Sequence, residues 1–452
     1  MANGRDDGTQ DRPHQSRREK KQALANEHRL VALGEAVDRN SGVSPRKPKV
    51  HRPHRTRRNV IIAGIVVIAL LLGVVGGGYL YAQWRFSQIK KITVSGELPQ
   101  LSGKPFNILE IGSDSRAGLT GAVAAQTGAS TGQAAGQRSD VVKIMHVDPA
   151  LGTISVLSIP RDTMTTLLAN QSLYGKFNRI NVNFGSGPSL LAQTITANFG
   201  IPITHTIVVS FGGLINAAVA LGGVYLDFPY PAKDAYSGLN IPHTGCQLVD
   251  GFQALAVARS RHYEWFQNGV WNYDVTSDFG RIDRQNAFMR AMIERAKHLY
   301  NPLTLNSFLS KLPQGITLDS NFTLNDLIAL AVKFHSFNPA NMTAYTLPTV
   351  SGVNPTLGDV LYTDEPAAQQ MLVNIFGSEL ITPTNPPPNA ALQTPLPPVV
   401  TTTTTVPATT TTHKATSTTA KSVAGTTTSS PTTTTTVATP GQQYFDPVPC
   451  TP

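Results

Sequence analysis

The chain has 452 residues, two cysteines and a formal net charge of +9 from 37 Lys and Arg against 28 Asp and Glu. Composition is spread so unevenly that only the middle can bury a core, which excludes a string of three equal domains despite the length. The residues spell no Walker loop, no HExxH helix and no nucleophile elbow, so P-loop NTPases, zincins and α/β-hydrolases are excluded as readings.

Residues 1–58 come first. Arg17, Arg18, Lys20, Lys21, Arg46, Lys47, Lys49, Arg52, Arg55, Arg57 and Arg58 lie among Pro, Gly, Gln and Asn, a mixture that predicts disorder. Without interleaved aromatics or a binding module, this charge reads as a topology signal drawn to anionic lipid. It does not read as a nucleic-acid surface.

Val60 to Tyr81 then runs 22 positions without a charged residue, close to the roughly 20 needed to cross a hydrocarbon core as a helix. Basic residues precede it and Tyr79, Tyr81 and Trp84 close it. The charge rule therefore predicts a single-pass cell-membrane anchor, with the N-terminus cytoplasmic and everything after about Arg85 outside. A cleaved signal peptide fits poorly, because the leader is long and polar and no small-x-small site follows.

After a juxtamembrane linker at 85–104, a folded unit spans 105–300 and continues through a helical and strand extension at 301–381. Strand-like and helix-like runs alternate along it, which predicts an α/β layer architecture. Phe106 to Ile111 reads as a strand stopped by Gly112. Gly118 to Gln137, almost all Gly, Ala, Ser, Thr and Gln, reads as a flexible loop. Val141 to Val147 and Thr153 to Ile159 flank Asp148-Pro149-Ala150-Leu151-Gly152, so they pair antiparallel and make the sheet mixed.

Farther along, Phe211, Leu214, Ile215, Ala218 and Val219 follow helical spacing, and Gly222-Gly223 stops that helix before a strand at Val224 to Phe228. Asp278 is placed to cap a helix whose Ile282, Met289 and Ile293 share one face. Arg281 and Gln285 then lie one turn apart on a neighbouring face, a spacing that lets two polar groups grip one ligand.

Beyond Thr382 the composition collapses to Thr, Pro, Val and Ser, so 382–441 reads as a disordered spacer. Residues 442–452, with Tyr444-Phe445-Asp446-Pro447-Val448-Pro449-Cys450, read as a docking strip. Cys246 and Cys450 both lie outside the membrane in this topology, where disulfides persist. Pairing them would tether the far end of the spacer to the folded unit; two free thiols or an intermolecular bridge stay open.

The chemistry lies in arginine and aspartate grouped at strand and helix ends: Asp114 with Arg116, Arg138 with Asp140, Arg161 with Asp162, Arg259 with Arg261, and Arg281 with Arg284. Taken singly, each reads as an ion pair or a cap. As a group they suit a phosphate-rich ligand, since guanidinium groups bind phosphate oxygens in pairs and two carboxylates can hold magnesium. His146 reads as a packed or edge histidine, and His262 sits in no catalytic motif.

The same motifs carry a resemblance. Asn107-Ile108-Leu109-Glu110-Ile111-Gly112-Ser113-Asp114-Ser115-Arg116, Arg138-Ser139-Asp140, Ser158-Ile159-Pro160-Arg161-Asp162-Thr163 and Arg179-Ile180-Asn181 come first. Ala220-Leu221-Gly222-Gly223-Val224, Asp250-Gly251-Phe252-Gln253-Ala254-Leu255, Arg259-Ser260-Arg261 and Asp278-Phe279-Gly280-Arg281-Ile282-Asp283-Arg284-Gln285 follow. In order, over about 180 residues (107–285), they resemble the LytR-CpsA-Psr family.

The resemblance implies a three-layer α/β/α domain with a mixed central sheet, and a membrane-anchored phosphotransferase. Such an enzyme moves a glycopolymer from a polyprenyl-pyrophosphate donor to a peptidoglycan acceptor and leaves a phosphodiester link. It implies Mg2+ (or Mn2+) at Asp114 and Asp140, and catalytic roles for Arg161, Arg259, Arg261, Arg281 and Gln285. Among these, Arg161, Arg261 and Arg281, together with Arg138, are expected to bind the pyrophosphate. A non-catalytic glycan-binding or attenuator-type regulatory protein, and a polyprenyl-pyrophosphate hydrolase, are the alternatives.

Three features depart from the family pattern: Glu110 in the first strand, the long loop before Arg138, and an aromatic insert from Tyr263 to Tyr273. Strand alternation puts Glu110 on the side of Asp114, either as an acid behind the metal or as an edge carboxylate in water. Asp162 or a metal-bound water would take the acceptor's proton. A tunnel for the lipid lined by Phe211 to Leu221, or ordinary core there, are both open.

Overall fold

The structure is a computed structural model and describes residues 17–40, 53–101, 103–116, 119, 124, 127, 139–297, 302–388 and 446–451. Arg138, most of the 118–137 segment and the spacer from 389 to 441 lie outside the described residues.

The chain separates at Gly76 into two units. In the first, Arg17–Asn40 is a helix where composition predicts disorder. The reason is local: this stretch holds Ala, Leu, Glu, Lys, Arg and Gln, the residues with the best intrinsic helix propensity. A second helix, Pro53–Ser87, carries the apolar run. Among the described residues, its Asn59–Ser87 part is the one helix long and apolar enough to cross a membrane. Its Ile62, Val66 and Leu70 are each at least half exposed, an apolar surface that water does not stabilise.

The second unit is built on a seven-stranded mixed sheet. Its strands lie in the order Lys90–Ile92, Ile316–Asp319, His205–Ser210, Phe106–Ser113, Ser139–Asp148, Thr153–Ser158 and Thr343–Thr346. The 139–148 and 153–158 strands pair antiparallel, with Lys143 opposite Ser158. The strand at 106–113 pairs antiparallel with 139–148 and parallel with 205–210. The segment expected to be a linker supplies the edge strand Lys90–Ile92. Phe86 and Ile89 before it are buried against Leu309, Leu312 and Phe322, so apolar burial draws that segment into the fold.

Helices cover both faces of the sheet. On one side Leu109, Ile111, Val142, Ile144 and Leu157 pack with residues of helices Pro188–Phe199 and Glu365–Phe376. On the other, Ile108, Val147 and Val156 meet Met289 and Ile293 of helix Asp278–Ala296 and Phe334 of helix Leu324–Phe334. Each large apolar side chain so buried contributes roughly 1.5–3 kcal/mol, and the result is the three-layer α/β/α architecture.

A second core joins helices Phe211–Ala220 and Gly251–Arg259 to strands Val224–Phe228 and Gly245–Val249. Ser210 and Asp250 cap the two helices through their side chains. Gly222 and Gly223 adopt φ of 74° and 86° between helix and strand, a conformation that side-chain-bearing residues disfavour. Val448–Pro449 adds a third strand beside 224–228, and Cys246 is disulfide-bonded to Cys450 with Cα atoms 6.0 Å apart.

The aromatic insert is a hairpin of Glu264–Gln267 and Val270–Tyr273. Asn268 and Gly269, with φ of 53° and 82°, make its turn, the pairing that two-residue hairpin loops favour. It extends a small sheet through Ala232–Asp234 to Leu239–Ile241.

Candidate active site

Asp140 and Arg161 meet because they leave the same end of adjacent strands, where Ile159 N–H donates to the Val142 carbonyl at 2.9 Å. Arg161 Nη1 donates to Asp140 Oδ1 at 2.6 Å. Burial alone would raise the Asp140 carboxyl, but Arg161, Arg281 and Arg261 outweigh it and hold the group below its usual range. Arg161 also faces Asp162 at 3.5 Å, and Asp162 in turn pairs with Arg179 at 3.2 Å. Arg179 is itself fixed, because its Nη2 donates to the carbonyls of Leu357 and Asp359.

Helix Asp278–Ala296 brings the second half of the cluster. Asp278 does not cap it: Ser277 precedes the first turn with φ of 51° and no side-chain cap bond. The Asp278 carboxylate is committed instead to Arg261 at 2.6 Å and Arg281 at 3.0 Å. Arg281 reaches on to Asp140, donating from Nη2 to its backbone carbonyl at 2.8 Å. Burial, only partly offset by Asp278, pulls the Arg281 guanidinium down to about 10, so it stays charged at neutral pH. Gln285 lies one turn farther along and donates from Nε2 to the Ala258 carbonyl at 2.9 Å, holding the segment that carries Arg259 and Arg261.

Arg259 stacks over Phe211 with 4.8 Å from guanidinium carbon to ring centroid. Burial and the nearby Arg116 both push it below its usual range. Among the described residues neither Arg259 nor Arg116 has a carboxylate ion-pair partner. The Nε atoms of Arg116 and Arg281 are buried there without a hydrogen-bond partner. Orphaned buried donors cost about 1–3 kcal/mol each, a cost that a bound anion would remove.

A small pocket, about large enough for one water molecule, is lined by Asp140, Lys143, Ser158, Arg161, Arg281 and Gln285. Lys143 forms its floor. Its Nζ donates to Ser158 Oγ at 2.8 Å and Asn286 Oδ1 at 2.6 Å, and burial pulls its amine down to about 8. Sequence reasoning missed it, although a lone lysine inside Val141-Val142-Lys143-Ile144-Met145 is the signal that could have found it. Glu110 stands directly opposite Lys143 on the neighbouring strand. It lies on a central strand and is therefore not an edge carboxylate. The register shifts between Gly112 and Ser113, where the partner strand passes from Val141 to Ser139 and Asp140 is the extra residue. Gly112 is required at that point, since a Cβ there would lie 2.6 Å from the Cβ of Val141.

Arg284, three residues beyond Arg281, belongs elsewhere. It is fully buried between Asp274 at 2.9 Å and Asp446 at 2.6 Å, donates to the Ser260 carbonyl, and lies over the Tyr263 ring. His146 bonds to Asn107 at 2.8 Å and packs edge-on to Phe376. The Phe211–Ala220 helix packs Ala218 and Leu214 into the second core.

Asp114 follows the strand whose Ser113 is registered with Ser139, so Asp114 and Asp140 lie at the same end of neighbouring strands. These two carboxylates are the oxygen donors that would hold a magnesium ion, and Asp140 Oδ1 is paired with Arg161 here. Among the described residues no cluster of three or more His, Cys, Asp or Glu side chains exists to hold a metal unaided. Arg138 lies outside the described residues.

Arginines gathered at one end of a mixed α/β/α sheet give this fold a cationic site whose charge suits an anion. Residues 82–375 match the LytR_cpsA_psr family, and the chain belongs to it. It is similar to the probable cell wall biosynthesis protein LcpB of Corynebacterium glutamicum, 27% identical over 314 residues, or 69% of each chain. It is also similar to the polyisoprenyl-teichoic acid–peptidoglycan teichoic acid transferase TagV of Bacillus subtilis. That match is 26% identical over 287 residues, covering 60% of this chain and 66% of that protein. Its fold is similar to a LytR-Csp2A-Psr enzyme from Actinomyces oris, with a TM-score of 0.50 and 22% identity over 66% of this chain and 97% of that one.

Proposed function

We propose that the chain is a membrane-anchored transferase that moves a glycopolymer from a polyprenyl-pyrophosphate carrier to peptidoglycan, leaving a phosphodiester link. The observation that carries this is the convergence of Arg161, Arg261 and Arg281 on Asp140 and Asp278. Family membership and the transferase named in TagV support it.

In the reaction, a hydroxyl oxygen of the acceptor attacks the sugar-proximal phosphorus. The bond from that phosphorus to the bridging oxygen breaks, and prenyl phosphate departs with the bridging oxygen while the hydroxyl proton passes to a base. Arg161, Arg261 and Arg281 stay ionised, so their work is to place the diphosphate and stabilise charge on the leaving phosphate. Asp162 lies between Arg161 and Arg179, which suits it to positioning Arg161 and makes it a poor base. Asp114 and Asp140 would hold Mg2+ or Mn2+, whose charge would further neutralise the phosphate oxygens. Helix Asn59–Ser87 would anchor the chain with its basic flank on the cytoplasmic side.

The test is transfer of a radiolabelled polymer from a polyprenyl-pyrophosphate donor onto purified peptidoglycan by the full chain. Labelled peptidoglycan is expected from the wild type and none from Arg161→Ala. Equal product from both would remove the site, and prenyl phosphate released without labelled peptidoglycan would identify a hydrolase.

A further inference from the structure

The outward face of the hairpin sheet is aromatic and open. Strand alternation puts Lys233, Glu264 and Tyr273 in one row across it, with Phe266 opposite Trp271 in the next row on the same face. The opposite face, with Trp265 and Ala232, is buried in the second core. Tyr236 and His262 continue the outward surface. Their rings lie 4.3 Å apart, and His262 lies 6.3 Å from Tyr273. Tyr236 is 75% exposed and Tyr273 46%. Lys233 covers Trp271 at 3.9 Å and pairs with Glu264 at 3.3 Å, and Tyr236, His262 and Tyr273 form a continuous run of rings beside them.

This ledge is fastened to the arginine cluster by one carboxylate. Asp234, fully buried, accepts through Oδ2 from the Ser260 hydroxyl and from the backbone N–H groups of Arg261 and His262. Through Oδ1 it accepts from the N–H groups of Tyr236 and Ser237. Arg261 and the ledge residues His262 and Tyr236 are thereby held by a single group. The segment that presents Arg261 to Asp278 therefore runs directly into the ledge at His262.

We propose that Tyr236, His262 and Tyr273 form a platform that stacks the pyranose rings of the donor glycan nearest its pyrophosphate; this rests on the transferase reading. A sugar ring has an apolar C–H face that packs on an aromatic ring and a polar edge that stays in water, which matches a half-exposed ledge beside charged side chains. A prenyl chain laid there would leave much of its apolar surface wet, against the gain from burial.

The experiment compares a C20 prenyl pyrophosphate with the same molecule bearing one N-acetylhexosamine on its distal phosphate, titrated into the full chain in detergent. The wild type is expected to bind the sugar-bearing probe about tenfold more tightly. The double variant Tyr236→Ala, Tyr273→Ala should lose that advantage while binding the sugar-free probe as the wild type does. Both residues are exposed, and an unchanged thermal transition verifies the fold. The proposal is overturned if the advantage survives in the variant, if the wild type shows none, or if both probes weaken equally. Loss of affinity for a soluble peptidoglycan fragment in place of the donor sugar would overturn it in favour of an acceptor surface. If neither probe binds the wild type, the transferase reading falls together with the platform.

Discussion

Glu110 and Lys143 face each other across two central strands, and replacing them together with Leu and Met is expected to remove a pH-dependent penalty from the protein's stability. Burial lowers the Lys143 amine to about 8 from an ordinary value of 10.5, with Glu110 only partly offsetting it. That difference corresponds to roughly 3 kcal/mol of penalty on the charged amine. Removing the amine also strips a donor from the buried Ser158 Oγ and Asn286 Oδ1, a loss of about 1–3 kcal/mol each. At pH 7 these losses offset the relieved penalty, so the discriminating quantity is the change of stability with pH.

The pH dependence has a definite sign. A lysine whose folded value lies below its unfolded one binds protons more weakly in the folded state. The penalty on the wild type is thus complete below about pH 8 and relieved as pH rises from about 8 toward 10.5. Urea unfolding of both proteins at pH 7, 8, 9 and 10 should show the wild type gaining on the double variant above pH 8, by up to about 3 kcal/mol toward pH 10.5. A difference that stays constant with pH, or that moves in the variant's favour, would refute the reasoning.

Arg284→Gln should lower stability by about 3–5 kcal/mol, because it leaves Asp274 buried without its partner; denaturant unfolding measures it. Cys246→Ser should lower stability by up to about 5 kcal/mol on a chain-entropy estimate for a bond closing a separation of 204 residues; calorimetry with and without reductant checks it. Asp162→Asn should slow transfer by about tenfold through misplacement of Arg161 while leaving the pH–rate profile unmoved. A displaced acidic limb in that profile would instead make Asp162 the base.

What was legible in the residues was what local chemistry sets. The Asp148-Pro149-Ala150-Leu151-Gly152 turn marks the hairpin of 139–148 with 153–158, and Gly222-Gly223 marks the stop of helix Phe211–Ala220. Arg161, Arg261 and Arg281 group in the sequence with Arg116, Arg138, Arg259 and Arg284, because arginine recurs beside aspartate in ordered motifs, a pattern that suits a phosphate-rich ligand.

What was illegible depends on tertiary context. The lysine inside Val141-Val142-Lys143-Ile144-Met145 marks a buried amine, but its partner Asn286 comes from a helix 143 residues away. Arg284 separates from Arg281 only when Asp274 and Asp446 are in place. Lys90–Ile92 is three residues long and too short for a periodic signal. The Asn268-Gly269 turn was a readable hairpin cue that the surrounding aromatics obscured.

The central claim is that one cationic pocket holds a diphosphate, and direct binding of a prenyl pyrophosphate to the full chain tests it. Isothermal titration in the presence of magnesium should give saturable one-to-one binding to the wild type. Arg261→Gln and Arg281→Gln should each weaken it by roughly tenfold or more, the loss of a charge-assisted hydrogen bond. Wild-type affinity retained in both variants would contradict the account.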